Sequence, residues 1–318
     1  MKVTLQQLAG MAGVSVATVS RVLNGNPAVA PETRKKVLRA AQASGFSGNW
    51  KLSGRPLVAL ITSRWNVSNI QPRLIEEVAD ELERYDFQYE IIPLAHLSLL
   101  ENLPVSGIVS LVTRDELPPE WHPDVPTVML NAEENRAENF YSVYSDIAHG
   151  FELAVEHFYE LGHRRIALAT RGLNVFLEKR RQETFRTAVR RHRDLKGIIS
   201  TEWEPLSGFL NAFARLRRRE VTGLLVPGYN NALAAFHALS LLNWSVPGEL
   251  SIIVQDERWT TRYLLPEPTE IQIDLSAICG EAVKMLRTLL ADGAVPRNVL
   301  VPYRLVPRES TAAPPGTP

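Results

Sequence analysis

From Leu57 onward, short apolar runs alternate with amphipathic stretches of helical spacing, and this alternation leaves few architectures open. VALIT, YEIIPL, GIVSLV and TVMLN read as strands, with a helix at about 74–84 between the first two. A second series, RIALAT, GIIST, GLLVPG and LSIIVQD, is separated by helices near 148–161, 178–191, 207–218 and 231–242. Strands and helices taken in turn predict an α/β body of doubly wound parallel sheet. Two such series predict two lobes, each with its ligand edge at the carboxyl ends of the strands. Together they predict a cleft that can clasp a small molecule.

Ahead of this body stands a segment of different character. Residues 1–56 carry eight basic side chains against the single acid Glu32, a net +7, and because the whole chain balances 35 basic against 35 acidic residues the remainder carries −7. A basic head on an acidic body suits a polyanion-binding module attached to a domain with another task. Thr4 and Gln7 have capping-box spacing, with Leu5, Leu8, Ala9 and Ala12 on one apolar face and Gly13 as the break. Ser15 caps a second helix, 16–23, which turns Val19, Val22 and Leu23 inward and leaves Val16, Ala17, Thr18, Ser20 and Arg21 outward. Its end is marked by Asn24 and Gly25. A third helix begins at Pro31 and Glu32, buries Val37, Leu38 and Ala41, and stops at Gly45. Short helix, tight turn and short polar-faced helix is the pattern of a DNA-binding helix-turn-helix, and also of helical hairpins that bind nothing.

Other chemistries find little support. The lone Cys279 cannot form an internal disulfide and reads as a small buried residue on a helix. The seven histidines do not fall at metal-ligand spacing, and no nucleophile elbow, phosphate-binding loop or paired-carboxylate signature appears, so neither an enzyme nor a cofactor is expected. The basic clusters RRHRD near Arg190 and RLRRRE near Arg217 read as solvated helix faces. With no apolar run near the roughly 20 residues of a membrane span and no secretory signal, the expected location is the cytoplasm, away from any membrane.

The wording of the head is more specific than its spacing. VTLQQLAGMAGVSVATVSRVLNGNPAVAPETRKKVLRAAQASGF closely resembles the head of the LacI (lactose-repressor) family. The likeness continues through SDIAHGFELAVEHFYELGHRRIAL, EWEPLSGF and VPGELSIIVQDERWTTRYLLPEPTEI, to about residue 308. It implies a homodimeric repressor that binds double-stranded operator DNA and answers to a small-molecule effector, a sugar or related metabolite. By this resemblance Val16, Ala17 and Arg21 face base edges in the major groove. Arg21 can bond a guanine bidentately, whereas Val16 and Ala17 offer apolar contact. Thr4, Ser15, Thr18, Ser20, Asn24 and Thr33 then hold phosphates and set the register.

The implied domains are a head at 1–46, a linker at 47–56, a two-lobed body at 57–309 and a disordered tail at 310–318, STAAPPGTP being rich in Pro, Gly and Ala. The linker, SGNWKLSGRP, is about one helical turn shorter than the family's. Leu52 is the candidate minor-groove wedge, Trp50 its rival, and a flexible tether the alternative to both. A chain whose head has lost operator binding and which serves only as a sugar sensor is the corresponding alternative for the whole.

In the body, the resemblance gives Arg181 the role of a fork onto vicinal hydroxyls or a carboxylate, Asp256 that of a strand-end acceptor and Trp203 that of an aromatic platform. Gly228 and Tyr229 stand where relatives carry Asn-Asp, and Asn131 stands where Asp is frequent. A lining with fewer carboxylates and an added phenol then suits a different hydroxyl pattern. Arg64, after the first strand, is a further candidate for the lining.

Overall fold

The computed structural model describes residues 3–23, 28–44, 46, 55–63, 70–119, 121, 123–130, 140–170, 176–201, 206–256 and 261–316. Three helices come first: α1 (Leu5–Ala12), α2 (Val16–Leu23) and α3 (Pro31–Ala43). Their core is the set expected from spacing, with Leu8, Ala9, Ala12, Val19, Val22, Leu23, Val37 and Ala41 buried and Leu38 packed against them. Leu5, in the first turn of α1, is the exception and stays 39% exposed. Gly13 ends α1 in the left-handed conformation at φ 64°, where a side chain would be strained, and Val14 donates back to Ala9 O at 3.0 Å.

By density of contacts the chain divides into two compact units, residues 1–144 with 275–300, and 145–274 with 301–318. The sheet of the first unit runs β11-β5-β4-β3-β1-β2, built from β1 (Leu57–Thr62), β2 (Gln88–Pro93), β3 (Val105–Ser110), β4 (Thr127–Leu130), β5 (Phe140–Ser145) and β11 (Asn298–Val301). Its pairings from β2 through β5 are parallel. Alternate residues Leu57, Ala59, Ile61, Ile108 and Met129 enter a core closed by the leucines of the 3-10 segment Leu94–Asn102. Helices α4 (Ile70–Arg84) and α9 (Leu275–Leu290) pack together, and α9 also packs on β3 and β4.

The second sheet repeats that topology as β12-β10-β9-β8-β6-β7. Its strands are β6 (Arg165–Ala169), β7 (Lys196–Ser200), β8 (Gly223–Pro227), β9 (Ser251–Asp256), β10 (Thr269–Gln272) and the antiparallel edge β12 (Arg304–Val306). Ala167, Ala169, Leu224, Val226, Ile252 and Val254 enter one core with α7 (Leu206–Arg218) and α8 (Tyr229–Leu241). Ile166, Leu168, Leu225, Ile253 and Ile271 enter another with α5 (Ile147–Glu160) and α6 (Phe176–Val189). Burial on both faces explains why the strands read as nearly unbroken apolar runs. Cys279 is a buried residue of α9.

The C-terminal segment differs from the expectation of a tail disordered from residue 310. Ser310 is fully buried, its hydroxyl donating to Ile252 O at 2.5 Å while its carbonyl accepts from Ile252 N at 2.8 Å. Ala312 N donates to Ser251 Oγ at 3.0 Å. Composition misleads here because Ser and Thr satisfy backbone groups as well as they face water. The buried His163 joins this seam, its Nδ1 2.8 Å from Thr222 Oγ1 and its Nε2 3.0 Å from Ala312 O.

Burial pushes the His163 imidazole down from its ordinary 6.5 to about 4. A base whose pKa is lower in the folded state leaves the unfolded chain binding more protons between those values. Its contribution is therefore intact at pH 7 and is lost as pH falls from 6.5 toward 4. Denaturant titrations at pH 7 and pH 4.5 should show the parent losing about 2–3 kcal/mol more stability than His163→Gln. Equal losses would contradict this account of the seam.

Candidate DNA-reading helix and effector site

The first site is the outward side of α2. Ser15 Oγ accepts from Thr18 N at 3.0 Å and lies 2.8 Å from the Thr18 hydroxyl, closing the start of the helix. With Val19, Val22 and Leu23 sunk in the core, the helical period points Val16, Ala17 and Arg21 into solvent. Val16 is 42% exposed, an apolar side chain with room to meet a partner. Arg21 has no ion-pair partner among the described residues, so its guanidinium fork is available.

At the start of α1, Thr4 Oγ1 accepts from Gln7 N at 3.2 Å and Gln7 Oε1 accepts from Thr4 N at 2.9 Å. Neither α1 nor α2 carries an acid in its first turn, so the positive helix ends are not neutralised from within. Thr18, Ser20 and Thr33 are partly exposed. Asn24, Trp50 and Leu52 lie outside the described residues.

The second site gathers at the carboxyl ends of the second unit's strands. Thr170, just past β6, donates its hydroxyl to Glu178 Oε2 in a short contact. Glu178 Oε1 accepts from Arg181 Nη1 at 2.6 Å, with only 8% and 14% of the two side chains exposed. At the end of β9, Gln255 Nε2 donates to the Tyr303 hydroxyl at 2.5 Å, and that hydroxyl donates to Ser145 Oγ at 3.1 Å. Burial raises the Tyr303 phenol above its ordinary value, partly opposed by its hydrogen bond to Ser145 and by the positive charge of Arg181, so it stays a neutral donor.

Arg181 Nε, Gln182 Nε2 and Gln255 Oε1 are buried without a hydrogen-bond partner among the described residues. Buried polar atoms are nearly always paired, so two donors and one acceptor left open beside a strand edge suit an incoming polar molecule.

Of the residues singled out in the sequence, Arg181 is in this cluster. Asp256 closes β9 directly after Gln255, and Tyr229 begins α8 after Gly228 at φ 87°, but their side chains are not described. Arg64, Asn131 and Trp203 lie outside the described residues. Sequence reasoning missed Thr170, Glu178, Gln182, Gln255, Ser145 and Tyr303. The one available signal was Glu178 three residues before Arg181, which helical geometry brings together. The basic runs are the solvated faces expected of them: Arg191 pairs with Glu152 at 2.5 Å and Arg217 with Glu249 at 2.8 Å, all partly or fully exposed.

Residues 4–49 match the family model "Bacterial regulatory proteins, lacI family", and residues 155–311 match a "Periplasmic binding protein-like domain". Among curated relatives, the HTH-type transcriptional regulator MalR of Streptomyces coelicolor is 28% identical over 99% of this chain and 98% of its own length. The lactose operon repressor of Escherichia coli is 28% identical over 98% of this chain and 91% of its own. Among solved structures, the lac repressor dimer bound to operator and the anti-inducer ONPF superposes with a TM-score of 0.69 at 22% identity, covering 98% of this chain and 100% of that one. The transcriptional regulator CelR in complex with cellobiose gives 0.64 at 22% identity, covering 97% and 100%. These likenesses show the same fold.

Gly150 in α5 gives the Tyr303 ring its space, since a Cβ there would lie 2.8 Å from two ring atoms. Gly150→Ala should cost about 1–3 kcal/mol in denaturant unfolding as the ring is forced aside. A variant as stable as the parent would show that the ring does not depend on this contact.

Proposed function

Because the chain belongs to the LacI family of bacterial regulatory proteins, we propose that it is a cytoplasmic, homodimeric transcriptional repressor whose hold on an operator is set by a sugar-like effector. The observation that carries this reading is the outward side of α2, where Arg21 has no described ion-pair partner and Val16 and Ala17 are exposed beside it. Arg21 then reads a guanine by two parallel bonds, and Val16 and Ala17 take apolar contacts such as a thymine methyl. Thr4, Ser15, Thr18, Ser20, Asn24 and Thr33 serve the phosphates, with the open amides at the starts of α1 and α2 beside them. Leu52 in the linker is the candidate wedge.

The head is taken as 1–46, the linker as 47–56 and the body from 57. In the body, Arg181 is the effector's donor and Asp256 its acceptor, with Trp203, Tyr229, Asn131 and Arg64 as further lining. The regulators named above, one of them in complex with cellobiose, support a saccharide as the effector class. An effector controls operator affinity only through its different affinity for the operator-binding and operator-free states. No step in this scheme requires catalysis.

Gel-shift titration with the DNA upstream of the protein's own gene tests the head. The parent should bind in a sequence-specific, salt-sensitive manner, and Arg21→Ala should lose about 1–3 kcal/mol and relax its preference at one base pair. Unchanged affinity and preference would overturn the groove assignment, and sugar binding without any DNA binding would favour a sensor that has lost its operator.

A further inference from the structure

Arg181 does not meet a ligand as an isolated cation, because a carboxylate already holds one of its terminal nitrogens. An arginine that captures a phosphate or carboxylate presents its fork to the incoming oxygens. Here Nη1 already donates to Glu178 at 2.6 Å, and the other Glu178 oxygen is held by the Thr170 hydroxyl. The two side chains are almost wholly buried, so solvent does little to screen them, and the pair is neutral as a unit. An anionic ligand drawn to Arg181 would also meet the Glu178 carboxylate at close range.

Among the described residues, Arg181 Nε and Gln182 Nε2, both donors, and Gln255 Oε1, an acceptor, are buried without a partner. Such a set fits hydroxyls, which donate and accept at the same oxygen, whereas an ionised carboxylate, which only accepts, could not use the acceptor.

We infer that Glu178 is a specificity-determining residue: by neutralising Arg181 and fixing its fork, it commits the site to an uncharged, hydroxyl-bearing effector and excludes phosphorylated or carboxylated ones. This rests on the proposed role of Arg181 as an effector contact.

The test uses the full chain, with inorganic phosphate, glucose 6-phosphate and glucuronate as anionic probes and maltose and cellobiose as neutral ones. Binding is read by thermal shift and calorimetry. The parent should show no saturable response to the anions. Glu178→Gln, which keeps the side-chain shape and removes the charge, should bind phosphate at least about tenfold more tightly than the parent, and Glu178→Gln with Arg181→Gln should lose that gain.

A parent that binds any of the anions and loses the response in Arg181→Gln would overturn the inference, and this arm does not depend on the Glu178 variant folding. So would a folded Glu178→Gln that gains no phosphate binding. Failure of the underlying assignment has its own signature, since maltose or cellobiose would then shift the parent and Arg181→Gln alike.

Discussion

Burial of Val19, Val22 and Leu23 in the core of the first three helices decides which side of α2 is left for a partner. An eight-residue helix has little stability of its own in water, so it holds its shape by packing. Once those three side chains are sunk, the helical period leaves Val16, Ala17 and Arg21 no other direction than outward. The caps at Thr4 and Ser15 and the left-handed Gly13 fix how α1 turns into α2. The side of α2 that the proposed function offers to DNA is thus a consequence of what this small core hides.

The second unit follows the same logic in sheet form. Its strands bury side chains on both faces, so polar groups collect at the strand ends and beyond. Thr170, Glu178, Arg181, Gln255 and Tyr303 meet there, and most of their polar atoms are paired with one another. Arg181 Nε and Gln255 Oε1, and Gln182 Nε2 in the same helix as Arg181, have no partner among the described residues and carry a desolvation cost that a bound polar ligand would relieve. A site held rigid by internal pairs and left open at a few atoms is suited to choosing among similar hydroxyl patterns.

Much of this was legible in the sequence because it depends on local pattern. The head helices, their caps and inward residues, and eight of the strands follow from apolar spacing, with boundaries moved by a few residues. Helix α4 begins at Ile70, a turn before its expected start, since Pro72 is tolerated in a first turn. What was not legible depends on distant partners. Strand β5 reads FYSVYS, mixing hydroxyls among its apolar residues, and β10 carries Glu270, which is buried among Arg308 at 2.8 Å, Gln272 Nε2 at 2.6 Å and the Thr261 hydroxyl. Ser310 looked like tail until Ile252 supplied its hydrogen bonds. Arg181 was identified by resemblance, but in the run EKRRQ only its three-residue spacing from Arg181 set the buried Glu178 apart from the exposed Lys179, and nothing marked the buried Gln182.

Hydroxyl-radical footprinting of the full chain on DNA upstream of its own gene addresses the central claim most directly. Two protected half-sites, related by approximate two-fold symmetry and centred about one helical turn or a whole number of turns apart, are the predicted result, with protection changing when an effector sugar is added. Protection spread evenly along the DNA, or absent altogether, would contradict the claim that α2 reads sequence on behalf of a ligand-sensing body.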